Sequence, residues 1–345
     1  MDILNNAIIT NDCIRASVDV SEEELQIFCV ENGDMLFQRS SETLEDVGRA
    51  NVYMDDKPAV FGGFVIRGKK KAEYNPLFFR YLLASPFARK KIIPMGAGAQ
   101  HFNIGQEGLN RVKLHFASLD EQKKIAKILS LLDERIATQS KIIEDLKKLK
   151  SAIIEIEYTP NTKSTSHVGD VIVQISKRNK NNAIQNVLSV SNRQGFIKQS
   201  DQFENRNVAS EDTSNYKIVE KNDFAFNPAR INVGSIARLT TLEKGIVSPM
   251  YICFRTQENV APEYIDYFFE SKHFYCEIQK RLEGSVRQCL SFEGLCNIPL
   301  SIPSFELQQR IGQRLLTLGQ KIKTETDLLE LLNKQKQYLL RQMFI

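Results

Sequence analysis

The side chains in this sequence whose types and grouping could do chemistry are basic and amide groups in short Gly-, Asn- and Ser-containing stretches. They are "SKRNKNN" (Ser176–Asn182), "SNRQG" (Ser191–Gly195), "NPARIN" (Asn227–Asn232) and "EGSVRQ" (Glu283–Gln288), with "QRSS" (Gln38–Ser41), "RGKKK" (Arg67–Lys71) and "GAGAQHFN" (Gly96–Asn103) earlier in the chain. Arg and Lys bind phosphates or guanine edges, and Asn and Gln bind adenine in the major groove. By loop position and side-chain type the candidates for such contacts are Arg39, Lys69, Gln100, Lys177, Arg178, Arg193, Arg230, Asn232 and Arg287. A solvated surface loop accounts for any one of them. Their recurrence on both copies of a duplicated unit, set out below, favours DNA.

Covalent chemistry finds no comparable grouping. There is no GxxxxGK[ST] phosphate loop. "NPAR" lacks the second proline and the aromatic of an adenine-methyltransferase motif, and Gly96-Ala97-Gly98 has no following GxxG. The histidines (His101, His115, His167, His273) stand apart from one another, and the cysteines (Cys13, Cys29, Cys253, Cys276, Cys289, Cys296) form no CxxC pair. The expectation is no catalytic residue, no cofactor, no metal, and reduced thiols. With 46 Lys+Arg against 42 Asp+Glu, the net charge of +4 permits a nucleic-acid partner without arguing for one. No apolar run spans a bilayer and "MDILNNAIITND" is no signal peptide, so a cytoplasmic location is expected.

The elements that must position these loops come in duplicate. "LDEQKKIAKILSLLDERIATQSKIIEDLKKLK" (Leu119–Lys150) and "FELQQRIGQRLLTLGQKIKTETDLLELLNKQK" (Phe305–Lys336) align at a constant offset of 186, as Ile311 minus Ile125 and Leu332 minus Leu146 show. The offset continues backwards. Pro76–Ser85 lies over Pro262–Ser271 and Gly98–Leu109 over Gly284–Leu295, while Glu31–Phe37 matches Glu220–Phe226 at an offset of 189. The stretch from about Thr159 to Ser189 finds no counterpart in the first copy, whose globular part therefore reads as shortened at its start.

Both long segments are helical with apolar residues alternating by four and three. The seam is Ile125, Leu129, Leu132, Ile136, Ile143, Leu146 and Ile153 in one, and Ile311, Leu315, Leu318, Ile322, Leu329, Leu332 and Leu339 in the other. That spacing is a coiled-coil repeat. Gln139 and Lys150 interrupt the first seam, Glu325 and Lys336 the second. An antiparallel pairing is expected to set Glu325 near Lys150 and Gln139 near Lys336. At ~1.5 Å per residue, about 35 helical residues make a rod of roughly 50 Å, a spacer between two globular modules. The globular parts mix "KIVEKNDFAFNPA", "GSIARLT" and "GIVSPMYICFRT", which read as strands and turns, with "PEYIDYFFESKHFYCEIQKRL", which reads as an amphipathic helix. Its aromatic stripe of Tyr264, Tyr267, Phe268 and Phe274 is assigned to the core. The fold class is α+β, with two pseudo-repeated globular domains and two long helices forming an antiparallel coiled coil.

At the level of motifs, "LDEQKKIAKILSLLDERI" ending in "LKKLKSAI" resembles the central conserved region of type I restriction–modification specificity (S) subunits, and "IPSFELQQRIGQRLLTLGQKI" their distal conserved region. "VGDVIVQISKRN", "NYKIVEKNDFAFNPARINVGSIA" and "GSVRQCLSFEGL" resemble a target recognition domain of that family. The likeness covers nearly the whole chain. Its departures are the shortened first domain, and Leu307 and Gly312 where the first helix has Glu121 and Ala126. The resemblance implies recognition domains at 1–116 and 159–302, a central helix at 117–158 and a distal helix at 303–345. Each domain would read one half of a bipartite double-stranded DNA target, with the coiled coil setting the gap. The implied partners are two modification (methyltransferase) subunits and restriction (translocase/endonuclease) subunits, with no catalysis in this chain. Two other readings stay open on the residues alone: a coiled-coil scaffold that binds no specific DNA, and an enzyme with a divergent site.

Overall fold

The structure is a computed structural model of the 345-residue chain, describing residues 2–159, 166–192, 194–199, 212–284 and 288–344. The chain folds into two units, one of Met1–Lys141 with Glu325–Ile345, the other of Ile142–Thr324.

In unit 1 the strands are β1 (Cys29–Val30), β2 (Met35–Gln38), β3 (Ser40–Ser41), β4 (Ala50–Val52), β5 (Ala59–Val60), β6 (Val65–Gly68) and β7 (Phe102–Asn103). They form an antiparallel sheet β4-β2-β6 and two small pairs, β1-β5 and β3-β7. Behind the sheet stand helices α1 (Pro76–Ala84) and α2 (Pro86–Ile92), each with proline in its first turn. Val52, Ile66, Ala88, Ile92 and Ile104 make up the buried centre.

Two very long helices follow, α3 (Leu119–Tyr158) and, at the end of the chain, α6 (Phe305–Gln342). Within unit 1 the first part of α3 runs antiparallel to the last part of α6. Leu129 clusters with Leu340, Asp133 binds Lys336 at 2.5 Å, and the Gln139 amide donates to the Glu325 carboxylate and carbonyl. Within unit 2, Ile154 packs with Ile311 and Leu315, and Glu157 meets Arg314. All fourteen seam positions are buried or half-buried. The expected polar pairs are corrected. Glu325 meets Gln139 rather than Lys150, Lys336 meets Asp133, and Lys150 binds Glu270 at 2.7 Å. The observed register places interrupting Gln139 opposite interrupting Glu325, so the two polar seam residues satisfy each other.

Unit 2 has β8 (Ile172–Ile175), β9 (Val187–Ser191), β10 (Gly195–Lys198), β11 (Lys217–Glu220), β12 (Phe224–Phe226), β13 (Ile236–Arg238), β14 (Lys244–Val247) and β15 (Ile252–Thr256). These give two four-stranded sheets, β10-β9-β14-β11 and β13-β12-β15-β8. The stretch read as one amphipathic helix is two, α4 (Pro262–Phe268) and α5 (Lys272–Gln279), because the Ser271 hydroxyl accepts the Phe274 amide and starts a new helix. Ser85 does the same before α2. Tyr264, Tyr267, Phe268 and Phe274 are buried in the core as expected.

The repeat extends to single hydrogen bonds. The buried Gln122 accepts from the Asn75 amide at 3.0 Å and donates to Ala117; Gln308 accepts from Ala261 at 3.0 Å and donates to Pro303. Each glutamine ties the first turn of a long helix to the start of the aromatic helix in its own unit.

In unit 2, Asp266 lies beside Arg238 Nε at 3.1 Å, and Arg238 also pairs with Glu263. Burial pushes the Asp266 carboxyl up to about 6 against the pull of Arg238. The folded unit therefore holds this proton more tightly than the unfolded chain does, and the contribution is favourable below about pH 4 and lost as pH rises through about 6. Asp266→Asn is expected to remove a decline in stability between pH 4 and pH 6, measured as the difference in thermal unfolding between variant and parent. Parallel pH profiles would show that this carboxyl is not the source.

Candidate nucleic-acid interface

In unit 1 the relevant loops leave the end of the sheet where Gln38 faces Val65. Arg39 follows β2 directly. Its amide donates to the Phe64 carbonyl and its carbonyl accepts from the Ile104 amide, both at 2.9 Å. Its backbone thereby joins the Gly62–Phe64 turn to the chain leaving a hairpin at Gly98–Asn103. That hairpin is closed by reciprocal Ala97–Asn103 backbone bonds, and Ser40 pairs with Asn103. Gly98 has φ +144°, and a Cβ there would stand 1.9 Å from the His101 carbonyl oxygen, so only glycine makes this tip. Gln100 is exposed in the loop, and Arg39 is exposed beside its base.

Lys69 lies elsewhere. It follows Gly68, which pairs with Met35 at the opposite end of β2 and β6, and binds Glu31 at 2.9 Å. The hydrogen bond from Lys69, with that from Arg67, holds the Glu31 carboxyl below its usual range. The structure places Arg39 and the hairpin that carries Gln100 at the same end of the sheet, and Lys69 at the other.

Unit 2 repeats this end of the sheet with an added strand. Phe226 pairs with Ile236 and Ile252, and Ile175 with Cys253. The loops that hold Lys177 and Arg178, Arg230 and Asn232, and the Ser248–Tyr251 turn all emerge from that end. Glu283 and Cys289 close the second hairpin with the same reciprocal bonds, and the Leu290 amide donates to the Pro228 carbonyl, as Ile104 does to Arg39. Lys177, Arg178 and Arg230 are exposed; Asn232 is half-buried in the short turn Ile231–Val233. Arg178 donates to the Asn215 side chain at 2.9 Å. Arg193 and Arg287 lie outside the described residues.

Among the described residues no carboxylate pairs within 4 Å with Arg39, Lys177, Arg178 or Arg230, while Lys221, Arg238, Lys244 and Arg255 of the same unit are all paired with acids. Cations not neutralised by the protein, next to amide side chains, suit phosphate and base-edge contacts. All six cysteines are free, and no described helix is long and apolar enough to cross a membrane.

Residues 3–148 match the family described as "Type I restriction modification DNA specificity domain". Over 93% of its length the chain is 25% identical to a putative type I restriction enzyme specificity subunit, MjaX, of Methanocaldococcus jannaschii, spanning 78% of that protein. Over nearly its whole length the chain is thus similar to type I restriction–modification specificity subunits. A second M. jannaschii specificity subunit, MjaVIII, is 25% identical over 76% of the chain and 68% of its own length. The fold is that of the type I system S subunit from M. genitalium, with a TM-score of 0.54 at 16% identity over 92% of this chain and 84% of that one.

In this specificity-subunit relative, residue-type reasoning passed over Phe64 and Met250. Both are large apolar side chains, 77% and 57% exposed, in corresponding turns. Their numbers differ by 186, the repeat offset, and that was the available signal. Where such a turn meets DNA, an exposed apolar side chain can contact a thymine methyl or enter a base step.

Proposed function

We propose that this chain is the DNA-specificity subunit of a type I restriction–modification complex. In this reading the recognition domains are residues 1–116 and 159–302, and each reads one half of a bipartite duplex target. The helices at 117–158 and 303–345 set the gap between halves. The observation that carries the reading is the duplicated end-of-sheet loop cluster, with Arg39 and Gln100 in one unit and Lys177, Arg178, Arg230 and Asn232 in the other. Two modification subunits carry the methylation chemistry and restriction subunits the translocation and cleavage, so this chain works without catalysis of its own, in the cytoplasm. Ile128, Leu131, Ile142 and Leu149 expose apolar side chains along α3, which supports docking of such partners.

Binding to random duplex DNA is the test, with the modification subunits present. Affinity is expected to fall linearly on a log–log plot against salt, while a minority of sequences stays bound at high salt. Arg230→Ala should relax the preference at one base position by ~1–3 kcal/mol if its guanidinium meets a base edge, and weaken all sequences alike if it meets a phosphate. Salt-independent or absent binding would instead favour a coiled-coil scaffold.

A further inference from the structure

Unit 1 contains an apolar cleft of about 400 Å³, walled by β2, β6, α1 and the chain at Leu109–Phe116. Its lining has a counterpart in unit 2, residue for residue. Leu109, Val112, Leu114 and Phe116 fall at the repeat offset on Leu295, Ile298, Leu300 and Ile302, Leu83 on Phe269, and Met35 and Phe37 on Phe224 and Phe226. In unit 2 these counterparts are packed core residues.

What covers them there is the segment from Ser166 to Ile175. Val168, Val171 and Ile172 are 0%, 3% and 4% exposed within that same core. The segment is held by its backbone at both ends. The Val168 amide donates to Ile298 and the Leu300 amide to Ser166, at 2.9 and 3.0 Å, and β8 then pairs antiparallel with the edge of β15. Between them Gly169 lies so close to Cys296 that a Cβ would meet Cys296 Cβ at 2.9 Å. In unit 1 the strand corresponding to β15 is β6, and no described strand pairs with its second edge.

We propose that the unit 1 cleft is a strand-docking site. It takes an extended segment of another polypeptide, with a glycine between apolar residues spaced as Val168, Val171 and Ile172, which pairs along the open edge of β6 and buries its apolar side chains against Leu109, Val112 and Leu114. Unit 2 shows what covers this face when the same residues are closed over. Strand addition of this kind draws affinity from main-chain hydrogen bonds and specificity from alternate side-chain pockets.

The probe is a synthetic peptide with the sequence of residues 166–176, "SHVGDVIVQIS", added to the full chain. Saturable 1:1 binding is expected by calorimetry, with slowed amide exchange at Val65–Gly68. A peptide with Asp in place of both valines and the first isoleucine of the triad should bind at least tenfold more weakly. So should the native peptide to Leu114→Glu or Phe116→Glu chains; Phe116 is 59% exposed, so the second variant keeps the test alive if the first does not fold. Absence of binding, binding indifferent to both variants, or slowed exchange at Ile252–Thr256 in place of Val65–Gly68 would overturn the proposal.

Discussion

Replacing Phe254 with alanine is expected to lower the stability of unit 2 by about 3–5 kcal/mol, the range for truncating a fully buried aromatic. Its ring is 0% exposed and stacks on Phe224 at 5.1 Å with the planes 6° apart. The edges of Phe226 and Phe269 close around it. Phe254 lies on β15, an interior strand of the sheet whose end carries the Lys177, Arg230 and Ser248–Tyr251 loops. The cavity would thus loosen the platform under the proposed interface, and DNA recognition by that half should fail before any loop residue is touched. Urea denaturation, with amide exchange at Phe224–Phe226, gives the stability change. A loss below about 1 kcal/mol would mean that the surroundings collapse into the space and that the ring stack supports little.

The second large effect concerns a turn present in both units. The Asp34 carboxylate accepts the Glu31 amide at 2.8 Å, and Asp223 accepts the Glu220 amide at the same distance. Each is paired with an arginine, Arg67 Nε at 2.6 Å for Asp34 and Arg255 at 3.0 Å for Asp223. The environments differ. The Arg67 side chain is 10% exposed and that of Arg255 48%. Removing Asp34 strands a nearly buried guanidinium, whose remaining acid is the half-exposed Glu31, so Asp34→Ala is expected to cost unit 1 about 3–5 kcal/mol. Asp223→Ala leaves Arg255 to water and to Glu220, and is expected to cost roughly 1–3 kcal/mol, the value of lost hydrogen bonds to a buried group. Burial already raises the Asp223 carboxyl above its usual range, which lowers its worth as an anion. Denaturation of the two single variants side by side is the measurement; equal losses would show that the backbone bonds of the turn, and not the arginine, dominate at both sites.

Much of this was legible in the residues because duplication is a one-dimensional property. A constant offset of 186 located the helices, the aromatic segments and the matching loop stretches at Gly98–Leu109 and Gly284–Leu295 without coordinates, and the four-three spacing marked all fourteen seam positions. The five strands from Lys217 to Thr256 follow from β-branched and aromatic runs between turn residues. The break between α4 and α5 was missed because the amphipathic pattern continues through it, while a single serine hydroxyl decides where the second helix starts.

Side-chain pairing in the seam was not legible. Periodicity says which face of each helix is apolar, but antiparallel helices can slide by a heptad at little change in that pattern. Only packing chose the register that sets Gln139 on Glu325 and Lys336 on Asp133. The same limit holds for the loops. By itself the sequence determined that two like modules exist, that each has basic and amide loops, and that long amphipathic helices accompany them. The tertiary structure alone decided which loops share an end of a sheet, that Arg39 lies at the same end as the hairpin carrying Gln100 while Lys69 turns to Glu31, and that one module keeps an apolar face open where the other covers it. These outcomes depend on strand order and register, which are fixed by contacts between residues far apart in the chain and leave no periodic trace in it.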